Sequence, residues 1–168
     1  YRQLGKIESD DVIAAAKWLS KQPNVDAANI GIWGWSFGGF MSSLCIMKGS
    51  DIFSTAISIA PVTNWRYYDS IYTERYMRTP EENESGYDNN SPMNYVDQLK
   101  GNLLLCHGTA DDNVHVQNTY ELAERLVQAN KQFDMAIYTN RNHSIYGGNT
   151  RHHLFRQITN WFVDYLQK

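Results

Sequence analysis

Ile30-Gly31-Ile32-Trp33-Gly34-Trp35-Ser36-Phe37-Gly38-Gly39-Phe40 is the stretch whose reading decides the fold. It opens as an apolar run without polar alternation, the pattern of a strand buried on both faces. From Gly34 to Gly38 it reads Gly-x-Ser-x-Gly, and it continues at helical spacing through Met41, Leu44, Cys45 and Lys48. Strand, sharp turn and helix around such a serine form the arrangement that lifts a nucleophilic hydroxyl above a sheet. A side chain at either flanking glycine is expected to collide with the backbone, while Ser36 takes the strained turn. The following helix aims its free N–H groups at the place where negative charge develops in acyl transfer. Alone, the five-residue match is a weak signal, since two glycines that only let a helix pack on a strand would look the same.

Working outward, Ser9 reads as an N-cap, with Asp10 and Asp11 in a first turn that favours acid. Val12, Ile13, Ala16 and Leu19 follow at helical spacing, and Pro23 closes the segment. Downstream, Thr55–Ala60 is a short apolar strand stopped by Pro61, and Asn102–Cys106 is a third strand. His115–Asn130 is an amphipathic helix, and Phe133–Thr139 is a fourth strand. After the polar loop Asn140–Asn149, a last helix carries Leu154, Ile158, Trp161, Phe162 and Tyr165 on one stripe. Strands alternating with helices of this length imply right-handed crossovers and a mostly parallel sheet flanked by helices, one α/β domain over residues 1–168. Pro61–Lys100 is far longer than an ordinary connection, so it is expected to be functional or to carry extra helix. It holds Trp65, Tyr67, Tyr68, Tyr72, Tyr76, Tyr87 and Tyr95. These suit a small aromatic satellite core, a pocket wall, or both.

Composition removes several classes. The net charge of −3 leaves no basic footprint for nucleic acid. No apolar run approaches the roughly 18 residues of a membrane span. Cys45 and Cys106 lie in apolar segments and read as buried free thiols. No His/Cys/Asp spacing suggests a metal site, and no cofactor is called for. The chain starts at Tyr1 rather than Met and enters a helix early, so it is expected to be a piece of a longer protein.

In a parallel sheet, ligands bind beyond the carboxyl ends of the strands. One strand ends at Ser36, another in His107-Gly108-Thr109-Ala110-Asp111-Asp112-Asn113, and the last in Thr139-Asn140-Arg141-Asn142-His143. Hydroxyl, carboxylate and imidazole therefore reach one edge in the order Ser, acid, His. Serine needs a base to take its proton, and the loop after the last strand makes His143 that base. The base needs an acid to hold its tautomer, for which Asp111 is the first choice and Asp112 the rival. His107 is expected to be structural support at a strand end, with His115, His152 and His153 on helices.

Three separate motifs carry a resemblance. Gly34-Trp35-Ser36-Phe37-Gly38-Gly39, Asp69-Ser70-Ile71-Tyr72-Thr73-Glu74-Arg75-Tyr76-Met77 and His107-Gly108-Thr109-Ala110-Asp111-Asp112-Asn113-Val114-His115 resemble the prolyl oligopeptidase family, in particular its dipeptidyl peptidase IV branch. The resemblance implies the C-terminal portion of an α/β-hydrolase catalytic domain. The implied activity is a serine exopeptidase that releases N-terminal dipeptides with proline or alanine second. It implies Ser36, Asp111 and His143 as the triad and the Phe37 backbone N–H as an oxyanion donor. Val62, Trp65, Tyr68, Tyr72 and Val114 would line the proline pocket, and Asn113 would bond a substrate carbonyl. The implied partners are a peptide with a free N-terminus, the remainder of the protein's own chain, and a second copy in a homodimer. The implied location is outside the cytoplasm: secreted, periplasmic or membrane-anchored.

Two family features fall outside this sequence, namely the tyrosine supplying a second oxyanion donor and the β-propeller whose glutamate pair holds the substrate amine. Phe37 and Phe40 stand where relatives often have Tyr. One missing oxyanion donor costs about 2.7–4 kcal/mol of barrier lowering. The upstream hydrolase strands are missing too, so the elbow strand is expected to show an unpaired apolar edge covered by another segment, and the chain alone to be nearly inactive. Two other functions fit less well: an acylaminoacyl peptidase or carboxylesterase using the same triad, and a non-catalytic binding module on the same fold.

Overall fold

In the computed structural model, which describes residues 1–167, four strands pair in chain order and all run parallel. They are Ile30–Trp35 (β1), Phe53–Ile59 (β2), Asn102–Gly108 (β3) and Asp134–Tyr138 (β4). The helices are Lys6–Leu19 (α1), Phe37–Lys48 (α2), Ser70–Met77 (α3), Glu84–Asp88 (α4), Gln117–Gln128 (α5) and Thr150–Leu166 (α6). Trp35 pairs with Ile59, Ile59 with Cys106, and Cys106 with Ala136, so the carboxyl ends of all four strands lie in line.

Alternation along β2 and β3 builds the two faces. Ala56, Leu103 and Leu105 pack with Phe40, Leu44 and Met47 of α2 and with Leu122 and Leu126 of α5. Ile57, Ile59, Leu104 and Cys106 pack instead with Leu154, Ile158 and Trp161 of α6. The Trp161 indole also donates to Thr55 Oγ1 at 2.7 Å, which fixes the height of α6 on the sheet. α1 lies against α2.

Three local expectations are corrected. Ser9 is no N-cap. α1 begins at Lys6 behind Gly5, whose N–H donates to Glu8 Oε2 at 2.9 Å. Ser9 is buried inside the helix, where its hydroxyl donates back to the Lys6 carbonyl and accepts from Lys48 Nζ. α5 likewise starts at Gln117, and His115 precedes it with its carbonyl accepting from Asn118. β1 is only partly buried: helices α2 and α6 lie against it, but it is the edge strand, pairing with β2 alone among the described residues, and Trp33 is 48% exposed. That single-sided pairing matches the expected apolar edge. The long connection carries extra helix as expected, in α3, α4 and short 3₁₀ turns.

The glycines of the elbow divide differently from the sequence reading. A Cβ on Gly34 would lie 2.3 Å from the Gly38 backbone, and one on Gly39 would lie 2.6 Å from the Ile59 oxygen. A Cβ on Gly38 would meet nothing within 4 Å. The turn is therefore tight at Gly34, and the close helix–sheet approach sits at Gly39. Gly34→Ala and Gly39→Ala should each cost about 1–3 kcal/mol of stability by overpacking. Equilibrium unfolding in urea measures this, and an unchanged midpoint for either would contradict the packing described.

Candidate active site

Ser36 sits between β1 and α2 at φ 60° and ψ −118°, left-handed backbone that a side-chain-bearing residue adopts only under constraint. The constraint is visible on both sides: its N–H donates to the Ile59 carbonyl at 2.8 Å, and its own carbonyl opens the α2 ladder to Phe40 at 2.9 Å. Phe37 is the first residue of α2, so its N–H lies outside the helical ladder and faces the same end of the helix.

Asp111 follows β3 and is 5% exposed. Its Oδ1 accepts from the Asn113 and Val114 N–H groups at 3.0 and 2.9 Å. Its Oδ2 lies 2.7 Å from His143 Nδ1 and 3.2 Å from His107 Nε2. A carboxylate only accepts, so Nδ1 of His143 carries the proton toward it, and Nε2 of the neutral ring is left as the free base. Burial opposes the charge on Asp111. The hydrogen bonds from His107 and His143, the charge of His143 and the Val114 N–H outweigh it and hold the carboxyl well below its usual range. Asp112 is exposed and makes no hydrogen bond to His143. Burial pushes both thiols, Cys45 and Cys106, up to about 12, so neither is a nucleophile at neutral pH.

The loops carrying Asp111 and His143 are tied to each other directly. Ala110 N–H donates to the Arg141 carbonyl at 3.0 Å, and Asn140 N–H to Thr109 Oγ1 at 2.8 Å. A Cβ on Gly108 would stand 2.2 Å from the Arg141 oxygen, so this approach requires glycine there. Among the described residues Ser36 Oγ makes no hydrogen bond. The elbow and the base loop are joined one residue away, where Trp35 Nε1 donates to the His143 carbonyl at 2.8 Å.

Beside the serine is a cavity of about 130 Å³ lined by Ser36, Phe37, Val62, Trp65, Tyr68 and Tyr72. Local caps set its wall. Asn64 accepts from the Arg66 N–H at the start of the turn holding Trp65, and Asp69 accepts from the Tyr72 N–H at the start of α3. Trp65 and Tyr72 stack at 5.7 Å, with Tyr68 edge-on to both. Asn113 does not line the cavity but is tied to its wall, its Oδ1 accepting from Tyr68 Oη at 2.7 Å. Val114 is fully buried and does not line this cavity; its carbonyl accepts from His107 Nε2 at 2.8 Å. Tyr87 and Tyr95 turn away as packing residues, donating to the Arg78 and Asn89 carbonyls. The sequence reading missed Trp35 as the residue reaching His143. His107, expected as structural support at a strand end, is buried near the end of β3, and its ring also reaches Asp111 Oδ2.

No described helix is long and apolar enough to cross a membrane. The family model described as the prolyl oligopeptidase family matches residues 1–168. A probable dipeptidyl-aminopeptidase B of Aspergillus oryzae is 43% identical over 164 residues, covering 96% of this chain and 18% of that protein. The protein of the same name from Paracoccidioides lutzii is 46% identical over 165 residues, with the same shares. The crystal structure of Porphyromonas gingivalis dipeptidyl peptidase 4 superposes with a TM-score of 0.97 at 56% identity, over 99% of this chain and 24% of that one. A putative dipeptidyl aminopeptidase IV from Bacteroides ovatus gives 0.95 at 38%, over 99% and 23%. The chain thus spans less than a quarter of the length of these relatives. Its four-stranded parallel sheet corresponds to the C-terminal part of an α/β-hydrolase domain. Sequence and fold agree over essentially every residue: this chain belongs to the prolyl oligopeptidase family.

Proposed function

We propose that the full-length protein carrying this chain is a serine peptidase that releases dipeptides from peptide N-termini, with proline or alanine second. The observation carrying this reading is the Asp111–His143 contact at 2.7 Å, buried on the Asp111 side, at the strand edge where a strained elbow holds Ser36. His143 Nε2 takes the proton as Ser36 Oγ attacks the scissile carbonyl. Asp111 holds the ring and stabilises the imidazolium. The Phe37 N–H receives developing charge on the carbonyl oxygen. The imidazolium then gives its proton to the leaving amine as the peptide C–N bond breaks, and the dipeptidyl acyl-enzyme is hydrolysed by water that the same, now neutral, imidazole deprotonates, returning the proton to Ser36 Oγ.

The cavity gives the specificity. A slot walled by Trp65, Tyr72, Tyr68 and Val62 suits a flat ring with no N–H to satisfy. Asn113, hydrogen-bonded to Tyr68 of the wall, would bond the substrate carbonyl, while Val114 is buried and does not line the slot. The peptide's free amine and a second oxyanion donor are assigned to parts of the protein outside this chain. So are pairing of the β1 edge and association with a second copy. A location outside the cytoplasm, secreted, periplasmic or membrane-anchored, is part of the same proposal and rests on the family.

Three outcomes test it in the full-length protein. A fluorophosphonate probe should label it, and Ser36→Ala should abolish the labelling. An unlabelled parent would favour a binding module. Asp111→Asn should lower kcat on a dipeptidyl-proline substrate by on the order of 10⁴-fold, through the wrong His143 tautomer. Asp112→Asn should leave kcat near the parent's, and the reverse ranking would move the acid to Asp112. Tyr72→Ala should damage cleavage after proline far more than hydrolysis of a small acyl ester. Equal losses would make Tyr72 a packing residue, and an ester-preferring parent would point to an esterase.

A further inference from the structure

The loop carrying His143 is strained and is gripped from outside. Four of its ten residues, Asn140, Ile145, Gly147 and Gly148, have φ of 57°, 44°, 110° and 53°. For Ile145, β-branched and fully buried, that is an outlier. Within the loop the Ile145 N–H donates to the Asn142 carbonyl and the Ser144 N–H to Asn142 Oδ1, but the carbonyls of His143 and Ser144 themselves are taken by two side chains from elsewhere in the fold. The His143 carbonyl accepts from Trp35 Nε1 at 2.8 Å. The next carbonyl, of Ser144, accepts from Arg151 Nε at 3.2 Å and Nη2 at 3.1 Å. The two donors are also neighbours within cation–π reach, with the Arg151 guanidinium 5.9 Å from the Trp35 ring centroid.

We propose that Trp35 and Arg151 form one positioning device for His143, an indole–guanidinium pair that grips two successive carbonyls of the base loop. This rests on the triad reading above. Trp35 directly precedes Ser36, so its indole measures the base against the nucleophile, where no Ser36–His143 hydrogen bond does so. Arg151 lies in the first turn of α6, where the helix dipole disfavours a cation. Helix stability does not explain it, but the Ser144 carbonyl does. Asp111 fixes only the far ring nitrogen, about which the imidazole can still tilt. The carbonyl grip removes that freedom, and a misplacement near 1 Å is worth up to about 10² in rate.

The test uses the full-length protein, a dipeptidyl-proline substrate and the fluorophosphonate labelling rate. Arg151→Ala and Trp35→Phe, which keeps a ring but loses the N–H, should each lower kcat and the labelling rate about tenfold. KM should stay within twofold. Arg151→Lys should recover part of the loss, as should millimolar guanidinium added to Arg151→Ala. The double variant should fall little below the worse single one, because the pair acts as a unit. A kcat for Arg151→Ala within twofold of the parent would overturn the inference, as would losses that multiply, or guanidinium without effect. A parent that the probe does not label overturns the triad reading and this inference with it. A parent labelled normally beside an unimpaired Arg151→Ala overturns this inference alone.

Discussion

The Asp111 carboxylate is nearly out of water and accepts from four directions: two backbone N–H groups of its own turn and two imidazoles. A buried carboxylate without partners would be neutral or would unfold its surroundings. Here the partners over-compensate, and the charge becomes the fixed point of the site. Its folded value lies below the ordinary carboxylate value of about 3.9. Ionisation therefore stabilises the fold above about pH 4, and that contribution is lost as pH falls toward the folded value. Across the neutral range Asp111 neither gains nor loses a proton, as the orienting role proposed for it requires.

His107 shows how far this dependence reaches into the fold. Its Nε2 faces two acceptors, the Val114 carbonyl and Asp111 Oδ2, so it carries the proton. In the neutral ring Nδ1 then accepts from the Thr119 hydroxyl at 2.7 Å, on buried α5 surface. One end of β3, the acid turn and the first turn of α5 are thus joined by a single ring. Thr63 extends the same seam by bonding Asn118 on one side, while its own carbonyl accepts from Ser91 on the other. The aromatic connection is anchored to α5 by these bonds, and the cavity wall inherits its position from them.

The elements were legible where period and punctuation agreed. Apolar runs of strand length, broken by Gly or Pro, located β1 to β4 within about two residues. The order of Ser, acid and His at the strand ends brought out the contact between Asp111 and His143. What stayed hidden was decided by partners remote in sequence. Ser9 looked like a cap because its type and place fit. Only the structure shows Glu8 holding the Gly5 N–H and Lys48 reaching Ser9 from another helix. Gly38 looked like half of a collision that belongs to Gly34 and Gly39. The carbonyl partners of Trp35 and Arg151 had no local signature, since neither residue type nor spacing records which loop will lie above a side chain.

The cavity wall carries one unpaid cost. Trp65 is 2% exposed, and its indole N–H has no partner among the described residues, although buried indoles usually find one. An orphaned donor of this kind costs about 1–3 kcal/mol. The ring is held there by packing instead, between Phe37, Phe40, Tyr68 and Tyr72. A smaller apolar residue would avoid the orphan but would not give Tyr72 a face to stack on. The flat slot beside Ser36 therefore exists at the expense of local stability, and the rigid seam through Thr63, Asn118 and His107 is what allows the fold to bear it.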